Sequence, residues 1–230
     1  MLVEIKNLSK QFTSMVLTDI SASFPKGQII GIVGPDGAGK TTLIRLMAGL
    51  LKPTQGSVSI YGYDTIKNSK FIHFLTGYMP QRFGLYEDLT VQQNRNRYAD
   101  LRGVKGEEKA KTFEKLLHFT ALGPFTGRLA KALSGGMKQK LGLACALIRK
   151  PTLLLLDEPS IGVDPISRRE LWAMVGDLVK EGITVVWSTA YLDEAQQCNT
   201  VLLLNQGKLC YFGDPSALTK RVDGRTFKIV

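Results

Sequence analysis

The stretch Gln28 to Thr42, "QIIGIVGPDGAGKTT", decides the fold. It opens as a short, largely apolar run of strand length and breaks at glycines. Gly34, Gly39, Lys40 and Thr41 then match G-x-x-x-x-G-K-[ST], and a helix pattern follows from Lys40 to Leu50. Strand before and helix after is the setting this motif requires. Glycines let successive backbone N–H groups converge on phosphate oxygens at a helix start. Lys40 adds a point charge for the β- and γ-phosphates of a nucleotide, and the Thr41 hydroxyl suits Mg2+. The predicted cradle is Gly34, Asp36, Gly37, Ala38, Gly39, Lys40, Thr41 and Thr42. Asp36 is a negative charge in an anion-binding loop and is expected to point away from the phosphates.

Outward from this loop, the first 30 residues read as β-structure. Val16, Thr18, Ile20, Ala22 and Phe24 alternate, which predicts one face of a strand, and Gly56 to Gly62 predicts another. After Gln81 the character becomes helical. Thr90 can cap a helix through Tyr98 and Leu101, and Gly106 to Leu122 reads as a second, with Phe113, Leu116 and Leu117 on its apolar side. Strand and helix alternate again: Gly135 to Arg149 (helix), Thr152 to Asp157 (strand), Ser167 to Lys180 (helix) and Ile183 to Trp187 (strand). Val201 to Leu204 and Lys208 to Phe212 pair across Asn205-Gln206-Gly207 as a hairpin. The pattern predicts an α/β core with a parallel sheet, interrupted by a helical insertion.

Totals agree with one such unit. The chain has 230 residues, 44% hydrophobic and 22% charged, enough to bury a core and too apolar for disorder. Its longest apolar runs, such as Leu153 to Leu156, fall far below the ~18 residues of a membrane helix. The N-terminus has no basic-then-apolar signal pattern. An odd count of three cysteines favours a reducing cytoplasm. Cys145, Cys198 and Cys210 lack C-x-x-C spacing and are expected as buried free thiols. The net charge of +10 admits nucleic acid or an anionic membrane surface as partner. Its clusters, Lys105 to Lys115 and Arg168-Arg169, interleave with acids, which favours solvated faces and makes nucleic acid the weaker expectation.

The second half separates this chain from other phosphate-loop proteins. "LSGGMKQK", Leu133 to Lys140, starts a helix on Ser134-Gly135-Gly136, a second helix terminus suited to an anion. The strand "TLLLLDEP" delivers Asp157, suited to the Mg2+ shell, and Glu158, able to polarise a water for in-line attack on a γ-phosphate. Loop, Ser-Gly-Gly helix and Asp-Glu strand in this order resemble the nucleotide-binding domain of ATP-binding cassette (ABC) transporters, from about Leu2 to Thr219. The resemblance implies a P-loop NTPase (RecA-like) core, residues 1–81 and 134–222, with an antiparallel β subdomain and an inserted helical subdomain at 82–133. Residues 223–230 are then a tail or the start of a linker, and "GRTFKIV" reads as a new strand.

The same resemblance implies further roles. Phe12 stands where the family stacks an aromatic on adenine, although a strand-edge core residue fits its pattern too. Gln81 matches the glutamine that senses Mg2+ and water. Ser134, Gly135 and Gly136 match the signature that grips the γ-phosphate held by a second cassette, and Asp164 the aspartate that couples the two sites. ATP and Mg2+ are the implied cofactors, a second cassette and a membrane permease the implied partners. Through the permease the chain is expected on the inner, cytoplasmic face of the cell membrane. The permease is expected near "RFGLYEDLTVQQN", where Phe83, Leu85 and Tyr86 are either docking rim or local core.

One expected group is missing. The family places a histidine before the "DEA" helix, and "WSTAYLDEA" puts Ala190 there. His73 and His118 lie elsewhere by spacing. An intact signature beside a defective strand end implies asymmetry: a site that binds ATP but turns over slowly, paired with a better site that uses this chain's signature. The motif string also resembles the first cassette of two-cassette ATPases serving ABC-2-type multidrug exporters. Two other readings stay open: Ser188 or Thr189 supplies the contact, or two identical slow sites face each other. A soluble cassette ATPase acting on ribosomes or nucleic acid is the alternative outside transport.

Overall fold

A computed structural model describes residues 1–82 and 84–217. Strands β1 (Val3–Gln11), β2 (Met15–Phe24), β4 (Gln55–Ile60) and β5 (Tyr63–Asp64) form an antiparallel sheet ordered β2-β1-β4-β5. A six-stranded sheet is ordered β10-β9-β3-β8-β7-β6, from β3 (Ile29–Val33), β6 (Thr76–Met79), β7 (Leu153–Leu156), β8 (Thr184–Thr189), β9 (Thr200–Asn205) and β10 (Lys208–Gly213). Its members from β9 to β6 run parallel, and β10 folds back on β9 as the predicted hairpin. Every residue of β3, β7 and β8 is buried, which is why they read as continuous apolar runs rather than as alternation.

Helix α1 (Lys40–Met47) and the inner faces of the two sheets enclose one core, including Leu17, Ile30, Leu43 and Val186. A second core lies on the other face of the large sheet, beneath α5 (Gly135–Leu147) and α6 (Pro165–Lys180). The insertion has its own cluster around Leu85, Val91, Leu133 and Leu141. There α3 (Val91–Leu101) and α4 (Gly106–Thr120) stand much as the sequence predicts. Thr90 caps α3 in a full capping box with Gln93.

Three expectations are corrected. The alternation of Val16 to Phe24 is not one face: register shifts within the β1–β2 pair and a positive φ at Asp19 turn the strand over, so Leu17 is buried while Thr18 is not. A seven-residue helix, α2 (Ser69–Leu75), and strand β6 precede Gln81, where the sequence reading had no element. Cys145 and Cys198 are buried, with burial pushing both thiols up to about 12, but Cys210 is exposed. Leu85 belongs to the local core whereas Tyr86 is exposed, and Phe83 and the tail beyond Ala217 lie outside the described residues. No helix of the described residues is long and apolar enough to cross a membrane. A short helix, α7 (Leu192–Ala195), follows β8.

Candidate functional site

Four parallel strands end at one level. Val33 pairs with Thr189, Trp187 with Leu156, and Leu156 with Met79. The residues just beyond these ends therefore converge: Gly34 to Lys40 after β3, Gln81 after β6, Asp157 and Glu158 after β7, and Ala190 after β8. That edge is where an α/β sheet meets its ligand.

The loop after β3 needs its glycines. At Gly39, φ is 104°, and an added Cβ would stand 2.6 Å from Leu17 Cδ2. Lys40 is buried and its ammonium donates to the carbonyl oxygens of Gly34 (2.8 Å) and Pro35 (3.0 Å). It also pairs with Glu158 Oε1 at 2.9 Å. Gln81 Nε2 donates to the other oxygen of Glu158 at 3.0 Å. Glu158 itself sits at φ 50°, an outlier for a residue with a side chain, and its backbone N–H donates to Ser188 Oγ at 2.9 Å. Strain of this kind collects where a side chain must be aimed.

Asp157 accepts from Thr41 Oγ1 and from Ser188 Oγ, both on Oδ1 at 3.0 Å. Its Oδ2 is buried with no hydrogen-bond partner. Burial holds this carboxyl above the usual range and the neighbouring Glu158 charge adds to the rise, while the Ser188 and Thr41 hydroxyls oppose it. A hydroxyl beside an orphaned carboxylate oxygen is a donor set that fits a hard cation.

The cleft over these groups, about 440 Å3, is lined by Val16, Asp36 to Thr42, Gln81 and Glu158. Val16 had no functional signal in the sequence; it arrives from the antiparallel sheet. The Asp36 side chain is 95% exposed, and its carboxylate stays 3.9 Å from Lys40 Nζ. Phe12 lies outside this cleft, 52% exposed, with the Lys10 ammonium 4.7 Å from its ring centre. Ser134, Gly135, Gly136 and Asp164 do not line it either. Ser134 and Asp164 are exposed caps, of α5 and α6 respectively. Ala190 borders a neighbouring cavity of about 270 Å3 that also meets Asp36, Glu158, Ser160 and Tyr191.

A phosphate loop, a hydroxyl–carboxylate pair that fits a cation and a carboxylate on the same cleft are the parts of a P-loop nucleoside triphosphatase. Comparison with known proteins narrows the class. Residues 17–161 match the family described as ABC transporter. Over 228 residues, 98% of this chain, 58% are identical in the probable multidrug ABC transporter ATP-binding protein YbhF of Escherichia coli (strain K12). The chain spans 39% of that relative's length. The linearmycin resistance ATP-binding protein LnrL of Bacillus subtilis (strain 168) is 30% identical over 98% of this chain and 73% of its own. Among solved structures, an ATP-binding subunit of an ABC transporter superposes with a TM-score of 0.86 at 28% identity, over 99% of this chain and 96% of the other. A dimeric, post-hydrolysis cassette bound to ADP and Pi, MJ0796, gives 0.84 at 25% identity, over 93% and 99%. The chain belongs to the ABC transporter family, whose cassettes bind ATP, and its fold is that of a P-loop ATPase with helical and antiparallel β additions.

Proposed function

We propose that this chain is one ATP-binding half of a paired cassette that powers an exporter, and that its own site binds Mg-ATP but hydrolyses it slowly. In the cleft, Lys40 transfers from Glu158 to the β- and γ-phosphates. Thr41, Asp157 and Gln81 would hold Mg2+, which supplies charge neutralisation at the phosphates. Glu158 then accepts a proton from the attacking water as the water oxygen bonds to the γ-phosphorus and the bond to the β-phosphate oxygen breaks. ADP and phosphate result. Ser134, Gly135 and Gly136 face the γ-phosphate of the partner cassette's nucleotide, and Asp164 lies between the two sites. Phe12 stacks on adenine at the cleft's outer edge. The exporter assignment rests on relatives named for multidrug transport and linearmycin resistance. The membrane subunit docks beside the helical insertion, where Tyr86 is exposed.

The observation that carries the slow-site reading is the commitment of Ser188. Its hydroxyl proton goes to Asp157 and its oxygen accepts the Glu158 N–H, so it has no proton left for a γ-phosphate. Thr189 is buried and accepts from the Tyr191 N–H at 3.0 Å, which directs it along its own chain. Ala190 brings only a methyl group. One missing polar contact to a transferring phosphoryl group costs on the order of 100-fold, by analogy with deleted oxyanion donors. Single-turnover hydrolysis by the paired ATPase, with the partner site disabled, tests this. Ala190→His is expected to accelerate it by about tenfold or more. Fast hydrolysis that the substitution leaves unchanged would remove the reading.

A further inference from the structure

A second group of charges lies between α6 and α7. Glu194, on α7, is 0% exposed. Trp187 Nε1, on β8, donates to its Oε2 at 3.0 Å, but Oε1 has no hydrogen-bond partner. The facing cation is Arg168 of α6, whose Nε stands 3.7 Å from Glu194 Oε1 and is itself unpartnered. The same guanidinium reaches Asp193 Oδ2 at 3.8 Å and lies 4.8 Å from the centre of the Tyr191 ring. One turn on, Trp172 stacks on Trp187 with ring centres 4.1 Å apart. A buried carboxylate demands a counter-charge, and this one is present at slightly more than hydrogen-bonding distance.

The position of Arg168 gives the contact its meaning. Its predecessor Ser167 presses on the signature: a Cβ added to Gly136 would stand 2.4 Å from Ser167 Oγ, and one added to Gly135 would stand 2.7 Å from the Gly162 carbonyl oxygen. Its partners Tyr191, Asp193 and Glu194 directly follow Ala190. Thus α6 approaches the Ser134 helix at residue 167 and, at residue 168, the segment Tyr191 to Glu194 that follows β8 and runs into α7.

We infer that Arg168 is a positioning residue that ties the Ala190 strand end to the signature helix, so that the state of this chain's own ATP site is passed to the site its signature serves. The inference rests on the paired-site reading. ATP entering the Lys40 cleft shifts the β8 end; Arg168 and Glu194 close or open; and α6 carries that change to Gly136. The loose ion pair is what allows movement, since a pair already at full contact could only be broken.

The test is a double-mutant cycle in the full paired ATPase. Lys40→Ala empties the slow site, Arg168→Met cuts the link, and kcat and KM of the working site are measured with the melting temperature of each variant. Lys40→Ala alone is expected to lower kcat at the working site by about tenfold, within the usual range of coupling between sites. Arg168→Met is expected to lower kcat similarly with KM for ATP nearly unchanged. The double variant is expected to be no slower than either, because both remove the same signal. Arg168→Lys should restore part of the loss. Losses that multiply, or a kcat that follows melting temperature, would overturn the inference. If Arg168→Met cannot be purified, Arg168→Lys carries the same cycle. Failure of the paired-site reading looks different: Ser134→Arg and Lys40→Ala would then hurt equally, whatever Arg168 does.

Discussion

Lys40 and Glu158 are each buried and each depends on the other. Removing one partner of a buried pair leaves an uncompensated charge, at about 3–5 kcal/mol, whereas removing both is far milder. Lys40→Met is therefore expected to destabilise the folded cassette by about 3 kcal/mol in urea unfolding. Adding Glu158→Gln should return most of that loss, because a neutral amide can keep the Gln81 contact. Additive losses would mean that the two groups do not meet in solution. In the proposed mechanism the pairing also orders the steps: Glu158 would become a free base only when phosphate oxygens draw Lys40 away.

At the level of elements, the site is a meeting of strand ends, and the packing of α5 on α6 sets where the signature sits. Gly136→Ala should lower the melting temperature, because its Cβ would fall 2.4 Å from Ser167 Oγ and 2.5 Å from Ser167 Cβ. Ser167→Gly removes both atoms and is expected to restore that stability, less the roughly 1 kcal/mol that glycine costs in a helix. Thermal unfolding of the two single variants and the double decides it; no recovery would mean that Gly136 serves backbone freedom rather than this contact. These same elements show what the sequence could reveal. The loop at Gly34 to Thr42, the cap at Thr90 and the apolar runs of β3, β7 and β8 are local signals, legible residue by residue. Strand β6 is not: "TGYM" has little strand character, and its burial comes from β7 alongside and from α5, whose Ala146 carbonyl would lie 2.6 Å from a Cβ on Gly77. Helix α2 buries only Ile72, so no periodicity announces it. The turn-over of β2 at Asp19 depends on pairing with β1, and the contacts of Arg168 join residues far apart in the chain. Phe12 and Ala190 acquired meaning through the family resemblance, and geometry then supplied the cavity beside Ala190.

For the whole molecule, binding and turnover should come apart. The cleft draws on the antiparallel sheet through Val16, on α1 through Lys40 and Thr41, and on the ends of β6 and β7 through Gln81 and Glu158. Val16 and α1 pack in one core, whereas Met79 at the end of β6 belongs to the other, so a bound nucleotide joins parts that would otherwise unfold with less mutual support. A ligand that binds only the folded state adds RT ln(1 + [L]/Kd), about 2.7 kcal/mol at one hundred times Kd. For a domain of this size each kcal/mol raises the melting temperature by roughly 2–4 °C, so saturating Mg-ATP should raise it by about 5–10 °C. Lys40→Ala should abolish most of that shift, since it removes the charge inside the loop. Ala190→His should keep the shift within about 1 °C, because Ala190 borders a cavity beside Glu158 that meets the phosphate loop only at Asp36, whose side chain is exposed. The decisive measurement is the pair of Ala190→His readouts, melting shift and single-turnover rate, taken on one preparation. A preserved shift with a faster rate places the defect of this site in chemistry. A shift that grows with the rate would instead mean that the missing ring weakens nucleotide binding, and slow turnover would follow from occupancy alone.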